Sequence, residues 1–113
     1  MSIEQNEKTS ASNSPSLPTN MTLQKAVDLG EYDPDYLSTF PDWHEITPHL
    51  QWRMVHQAIK NRRTSLMVNW AEVANQPNYS KKPHLKPIQE SIEKKLRQLQ
   101  EDEEKLQDYF LNR

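Results

Sequence analysis

One amphipathic stretch, residues 47–76, most constrains what this chain can fold into. Thr47 followed by Pro48 is a helix start signal, because Thr caps free N–H groups of a first turn and Pro fits the first helical position. No further Gly or Pro interrupts the stretch before Pro77, which disfavours helical geometry at the residue that precedes it. The pattern therefore predicts one long helix over 47–76.

The apolar residues of this helix form a narrow stripe and a weaker second line. The stripe residues recur at steps of three, four or seven and fall within about 60° of one another on a helix. They are Trp52, Val55, Ile59, Leu66, Trp70 and Val73. The second line, roughly opposite, is Leu50, Met54, Ala58 and Val68. Two lines predict packing on two sides, or one packed side and an exposed patch for another molecule.

A second long helix is predicted over 83–111, beginning at Pro83 or at Pro87. Its apolar residues recur every seven positions, which is typical of a coiled-coil-like seam. The seam residues are Leu85, Ile92, Leu99 and Leu106. The polar connector of residues 77–82 has a length common between antiparallel helices, so the seam should pack on the stripe of the same chain. Glu103 lies on or near this apolar face, and we expect it to weaken its turn.

Residues 21–46 form what we call the apron. Thr22 as a cap and Gly30 as a stop predict one or two helical turns at its start. Aromatic residues then recur at steps of four, four and three in an acidic segment: Tyr32, Tyr36, Phe40 and Trp43. Each buries ~150–250 Å² when it packs, so we expect the apron to fold back over the helices. The alternative is that the apron does not cover the helices and is a linear segment recognised by a partner.

The fold class expected from these patterns is all-α. The domain is a long antiparallel helical hairpin with a short, irregular or helical apron, all within residues 21–113. Residues 1–20 are rich in Ser, Thr, Asn, Glu and Pro and predict a disordered tail. A single Gly and few β-branched runs argue against a sheet.

No motif in the chain carries a recognisable catalytic chemistry. The absence of Cys removes thiolate catalysis, disulfides and Cys-based metal sites. His49 and His56 lie seven residues apart and lack a third ligand at a metal-binding spacing. There is neither a Gly-rich phosphate loop nor a nucleophile elbow. We therefore predict a protein that is not an enzyme and uses no cofactor or metal.

The function expected is a non-catalytic protein–protein interaction, as an assembly, adaptor or regulatory factor, with a monomer favoured. Aromatic and Arg anchors dominate interface energies, which selects the candidate partner-binding residues. They are Tyr32, Tyr36, Phe40, Trp43, Trp52, Met54, Arg62, Arg63 and Trp70. The lack of Cys, of a secretory signal and of an apolar run near ~20 residues predicts a cytoplasmic protein without a transmembrane segment.

Basic residues on the central helix give an alternative function, RNA or DNA binding by phosphate neutralisation. The cluster is Arg53, Lys60, Arg62 and Arg63. The net charge of −2 and the Glu residues interleaved in the last helix argue against it. We expect the stems of Arg62 and Arg63 to cover apolar surface while their charged heads reach water.

Several strings of the chain give it a resemblance to a known group of proteins. They are LGEYDPDYL, QAIKNRR, WAEVAN, SKKPHL and LQEDEEKL. Through them, residues 27–112 resemble a family of small uncharacterised cyanobacterial proteins with no assigned activity. The resemblance implies a bacterial protein of the cytoplasm or of the periphery of thylakoid membranes. It implies no residue roles.

Overall fold

The computed structural model describes residues 20–112, and within this range the fold is all-α, as the sequence predicts. The predicted tail, apart from Asn20, lies outside the described residues. Two long helices dominate, with two short helices and two 3₁₀ turns around them. In chain order the elements are α1 (Leu23–Asp28), α2 (Pro34–Leu37), a 3₁₀ turn (Pro41–Glu45), α3 (Pro48–Ala74), a 3₁₀ turn (Tyr79–Lys81) and α4 (Leu85–Leu111).

Both ends of α1 are built from local signals that the sequence carries. The Thr22 hydroxyl accepts a hydrogen bond from the Lys25 N–H at 3.1 Å, capping the first turn. At the other end Gly30 has φ +84°, and its N–H donates to the Val27 carbonyl at 2.9 Å. The Glu31 N–H donates to the Ala26 carbonyl at 2.9 Å, which completes a Schellman motif. The predicted cap and stop are both confirmed.

The hairpin is held by an apolar seam between α3 and α4. Val55 and Ile59 of α3 are fully buried, and Leu99 of α4 is 2% exposed. Leu66 and Ile92 are buried in the same core cluster. The predicted intramolecular seam is confirmed, because both helices supply its residues within one chain. The helices, of 27 residues each, are about 40 Å long at 1.5 Å per residue.

The connector reverses the chain at Asn78, which adopts the left-handed conformation with φ 58°. Asn tolerates this region better than most residues. The last helix starts at Leu85, between the two prolines expected to begin it. Pro87 falls in the first turn, where its missing N–H breaks no intrahelical bond. The Tyr79 hydroxyl donates to the side-chain carbonyl of Gln89, so the connector is tied to α4.

The apron folds back onto the hairpin, as expected. Leu37 and Trp43 are buried in the core, and the Trp43 ring meets Phe110 of α4 edge to face at 6.4 Å. The Gln51 side-chain amide donates to the Trp43 carbonyl at 2.9 Å. These contacts lie in the half of the hairpin near the end of α4. We call residues 64–98, where the helices turn back, the distal half, and the other described residues the proximal half.

Candidate interaction surface

One side of the hairpin is occupied by the apron. The Asn61 side-chain amide donates to the Val27 carbonyl at 3.0 Å, and the Arg62 Nε–H donates to the Gly30 carbonyl at 3.2 Å. Arg62 also lies 3.7 Å from the Glu31 carboxylate. The Arg62 head is therefore not left wholly to water: it contacts one apron carbonyl and one carboxylate, while 39% of the side chain stays exposed. A Cβ on Gly30 would stand 3.1 Å from the Arg62 backbone, so the apron approaches α3 closely.

Tyr32 fixes the next part of the apron to α4. Its hydroxyl donates to the Asp102 carboxylate at 2.6 Å, and the residue is half-buried. Burial and this hydrogen bond raise the pKa of Tyr32 to about 12 from its ordinary value of 10.0. The Gln98 side chain donates to the second oxygen of Asp102 at 3.0 Å. The apron is thus held by polar contacts as well as by its buried apolar residues.

The other side of the hairpin, which we call the open face, carries residues from both long helices. They are Trp52, His56, Arg63, Met67, Trp70 and Ala71 of α3 with Glu93, Leu96 and Glu103 of α4. At 100° per residue, Met67 lies about 140° around α3 from Arg62, and Glu93 about 180° around α4 from Asp102. The apron contacts of Arg62 and Asp102 therefore point away from this face.

A charged cluster occupies the proximal half of the open face. The Arg63 guanidinium donates to one oxygen of Glu103, and His56 Nε2 lies 3.2 Å from the other oxygen. The indole of Trp52 stacks on the His56 ring at 5.2 Å. Glu103 is only 16% exposed, so this pairing offsets its desolvation.

The contacts of this cluster differ from what the sequence predicts for Glu103 and for Arg63. Glu103 does not leave an unpaired charge on the apolar face, because it joins α4 to α3. The Arg63 head contacts Glu103 and is not given over to water. Both oxygens of the carboxylate are engaged by groups of the same chain. The arrangement therefore stabilises helix packing and offers no free acid or base.

An apolar groove of about 360 Å³ continues the open face into the distal half. Its lining residues are Met67, Trp70, Ala71, Glu93 and Leu96. Met67 is 56% exposed and Trp70 is 37% exposed. The indole N–H of Trp70 donates to Glu93 at 3.0 Å, so the polar atom of the ring is satisfied and its apolar surface lines the groove.

The predicted partner-binding residues fall into separate places. Those on the open face are Trp52, Arg63 and Trp70. Those within the apron or bound to it are Tyr32, Tyr36, Phe40, Trp43 and Arg62. Trp43 is buried, while Tyr36 is 38% exposed and meets Phe40 edge to face. Met54 lines another groove, between α1 and the back of α3. The structure thus does not gather the nine residues into one site.

Sequence reasoning missed four groove residues, Met67, Ala71, Glu93 and Leu96. Met67 and Ala71 lie beside the apolar stripe and belong to neither apolar line of the helix. Leu96 flanks the seam and reads as an ordinary core residue. The available signal was the spacing of Met67, Trp70 and Ala71, at i, i+3 and i+4, which places three apolar residues on one patch of helix surface.

Other kinds of site have little support in the described part of the chain. Among residues 20–112 no three His, Asp or Glu side chains converge in a group that could hold a metal ion. None of the helices in this range combines the length and apolarity needed to cross a bilayer. No protein-family model, curated protein or solved structure matches the chain. The resemblance to the cyanobacterial family stays a prediction.

Proposed function

We propose that this protein is a non-catalytic interaction factor that binds another protein through the open face. The observation that carries the proposal is the exposed apolar groove formed by Met67, Trp70 and Leu96. Exposed apolar patches on small soluble domains are typical of interaction sites, and aromatic anchors supply much of the energy at interfaces. A protein of this size without a recognisable catalytic group is well suited to such a role.

The composition of the open face supports a protein partner. Its centre is apolar, and charged residues such as Arg63 and Glu103 lie at one end. An apolar centre with charged surroundings is common in protein–protein interfaces. The seam between α3 and α4 is satisfied within one chain, so we propose that the free protein is a monomer. We place it in the cytoplasm or at a membrane surface, in line with its lack of Cys.

Nucleic acid has less support as the ligand. Two of the four basic residues proposed to bind phosphate are already engaged within the chain. Arg62 contacts Gly30 and Glu31, and Arg63 contacts Glu103. Releasing them would leave partly buried groups without their partners, which costs binding free energy.

The proposal is tested by pull-down from a lysate of the source organism, with the full chain as bait. Met67→Glu should lose a stoichiometric partner that the wild type recovers, because it places a charge in the apolar groove. Val68→Glu is the matched control. Val68 is 49% exposed and lies about 100° around α3 from Met67, outside the groove lining.

Circular dichroism must show that both variants keep the wild-type helix content. The proposal fails when the wild type recovers no stoichiometric partner, or when Met67→Glu retains one as well as Val68→Glu does.

A further inference from the structure

The two halves of the hairpin carry opposite net charge. The distal half has six Lys and Arg against three Asp and Glu, a net charge of +3. The remaining described residues, 20–63 and 99–112, have six Lys and Arg against eleven Asp and Glu, a net charge of −5. The distal cations are Lys81, Lys82, Lys86, Lys94, Lys95 and Arg97. The apolar groove therefore lies in the basic half of the molecule.

Exposed cations flank the groove on both helices. On α4, Lys86 lies seven residues before Glu93 and Arg97 directly follows Leu96. On α3, Lys60 lies seven residues before Met67. Residues seven apart lie about 20° from one another around a helix. Lys60 therefore lies on the same side of α3 as Met67, and Lys86 on the same side of α4 as Glu93. All three cations are exposed.

Acidic groups on the same flanks of α4 are partly engaged. Glu93, within the groove, accepts the indole N–H of Trp70. Glu104, beyond the groove on this flank, accepts a hydrogen bond from the Gln100 side chain at 3.0 Å. Lys86 and Arg97 are exposed beside the groove, as are Glu90, Glu93 and Glu104 on this side of α4, so the preference for an anionic partner rests on the net charge of +3 of the whole distal half.

The shape of the groove suits a helix. Met67, Ala71 and Ala74 follow one another at i, i+4 and i+7 on the same flank of α3, and two of them are small. Small residues let a third helix approach two antiparallel helices and insert its side chains between them. Helix-in-groove recognition uses this geometry, with apolar anchors at i, i+3 or i+4 and i+7 of the ligand.

We propose that the groove binds an amphipathic helix of another protein whose apolar stripe is flanked by Asp and Glu. The inference rests on the proposed function of the open face and specifies its partner. Apolar side chains of the helix fill the space between Met67, Trp70 and Leu96. Its carboxylates lie near Lys86 and Arg97, which sets specificity and speeds association.

Two other occupants would fit the groove less well. A second copy docked groove against groove would bring together two distal halves that each carry a net charge of +3, and these repel. Nucleic acid would satisfy the cations, but its phosphates would leave Met67 and Leu96 without an apolar partner.

The test is a selection with the full chain as target. The probe is a display library of 18-residue amphipathic helices whose apolar stripe is varied and whose flanking positions are randomly Glu or Lys. We expect the recovered helices to be rich in Glu. The double variant Lys86→Glu/Arg97→Glu should weaken their binding by about tenfold or more and should itself select Lys-rich helices. Lys25→Glu, which reverses the charge of an exposed residue of the apron, is the control and should leave binding unchanged.

The outcomes separate this inference from the proposed function. The recovered helices could lack a preference for Glu and still fail to bind the Met67→Glu variant. This result would overturn the proposal of an acidic partner but would agree with protein binding at the open face. A failure to recover any helix, or recovered helices whose binding survives Met67→Glu, would overturn the helical partner, while the pull-down with Met67→Glu and Val68→Glu decides the proposed function separately. A mixed-sequence RNA that competes with the selected helices at physiological salt, and that requires Lys86 and Arg97, would overturn the inference in favour of nucleic acid.

Discussion

Tyr32 shows how one side chain ties a short segment to a helix 70 residues further along the chain. Its ring adds to the half-buried apolar surface of the apron, and its hydroxyl satisfies Asp102. Glu103, which directly follows Asp102, links α4 to α3 in a similar way, because Arg63 donates to its carboxylate. Two consecutive acids of α4 therefore hold different layers of the fold, one on each side of the hairpin.

The raised pKa of Tyr32 predicts a pH dependence of stability. Because the folded-state pKa of about 12 exceeds the ordinary value of 10.0, the neutral hydroxyl is favoured by folding. Its contribution is fully present below pH 10 and is lost as the pH rises through 12. Tyr32→Phe should remove this part of the alkaline loss of stability, measured by urea unfolding at a series of pH values.

Tyr36→Phe is the matched control, since Tyr36 is 38% exposed and lies on the same segment. It should keep the wild-type pH dependence. Equal pH profiles for wild type and Tyr32→Phe would contradict the role assigned to the Tyr32–Asp102 hydrogen bond.

At the scale of elements, local signals made much of the fold predictable. The caps Thr22 and Thr47, the stop at Gly30 and the heptad spacing through Leu99 are short-range patterns, and each appears in the structure where expected. Pro87 did not decide the start of α4, because a first turn accepts Pro at more than one position.

Contacts between distant elements were not predictable in the same way. The partners of Arg62 and Arg63 lie 32 and 40 residues away, and helical periodicity does not specify them. The exposure of Trp70 also escaped prediction. Periodicity placed it in the stripe, but it lies at the edge of the stripe, in the half that the described apron contacts do not reach. The spacing of Met67, Trp70 and Ala71 indicates an apolar patch, but it does not show that the patch is left uncovered, because that depends on where the apron packs.

Leu99→Ala should lower the stability of the hairpin strongly. Leu99 is 2% exposed near the middle of the seam, so truncation removes buried apolar surface and leaves a cavity, which costs ~2–5 kcal/mol. Thermal unfolding by circular dichroism should show a clear fall in melting temperature, with light scattering still giving the mass of a monomer.

Leu111→Ala makes the same change at a position on α4 that is 54% exposed, and it should have a small effect. Similar melting temperatures for Leu99→Ala and wild type would argue that the seam does not hold the hairpin together.

At the scale of the whole molecule, the hairpin has unequal cover along its length. The proximal half has the apron as an additional layer, while the distal half, in the described chain, is formed by the two long helices and the connector. Regions with fewer buried apolar contacts open locally at lower free energy. We therefore expect amide hydrogen exchange to be faster for residues 68–74 than for residues 55–61 of the same helix.

The comparison is internal to α3, so one sample at one pH serves, with each amide corrected for its intrinsic exchange rate. Equal protection along the helix would mean that the whole hairpin opens as one cooperative unit and that the apron adds no local stability. Slower exchange of residues 68–74 on adding a selected helical peptide would locate its binding to the distal half.

The separation of charge along the hairpin also bears on how fast a partner is found. A basic end and an acidic end, set apart along helices about 40 Å long, form an electric dipole that aligns in the field of a charged molecule before contact. An anionic partner therefore meets the distal end first, and a larger share of collisions are correctly oriented. Diffusional encounter then becomes faster in dilute salt and slows as ions screen the field, while the apolar contacts govern how long the complex lasts.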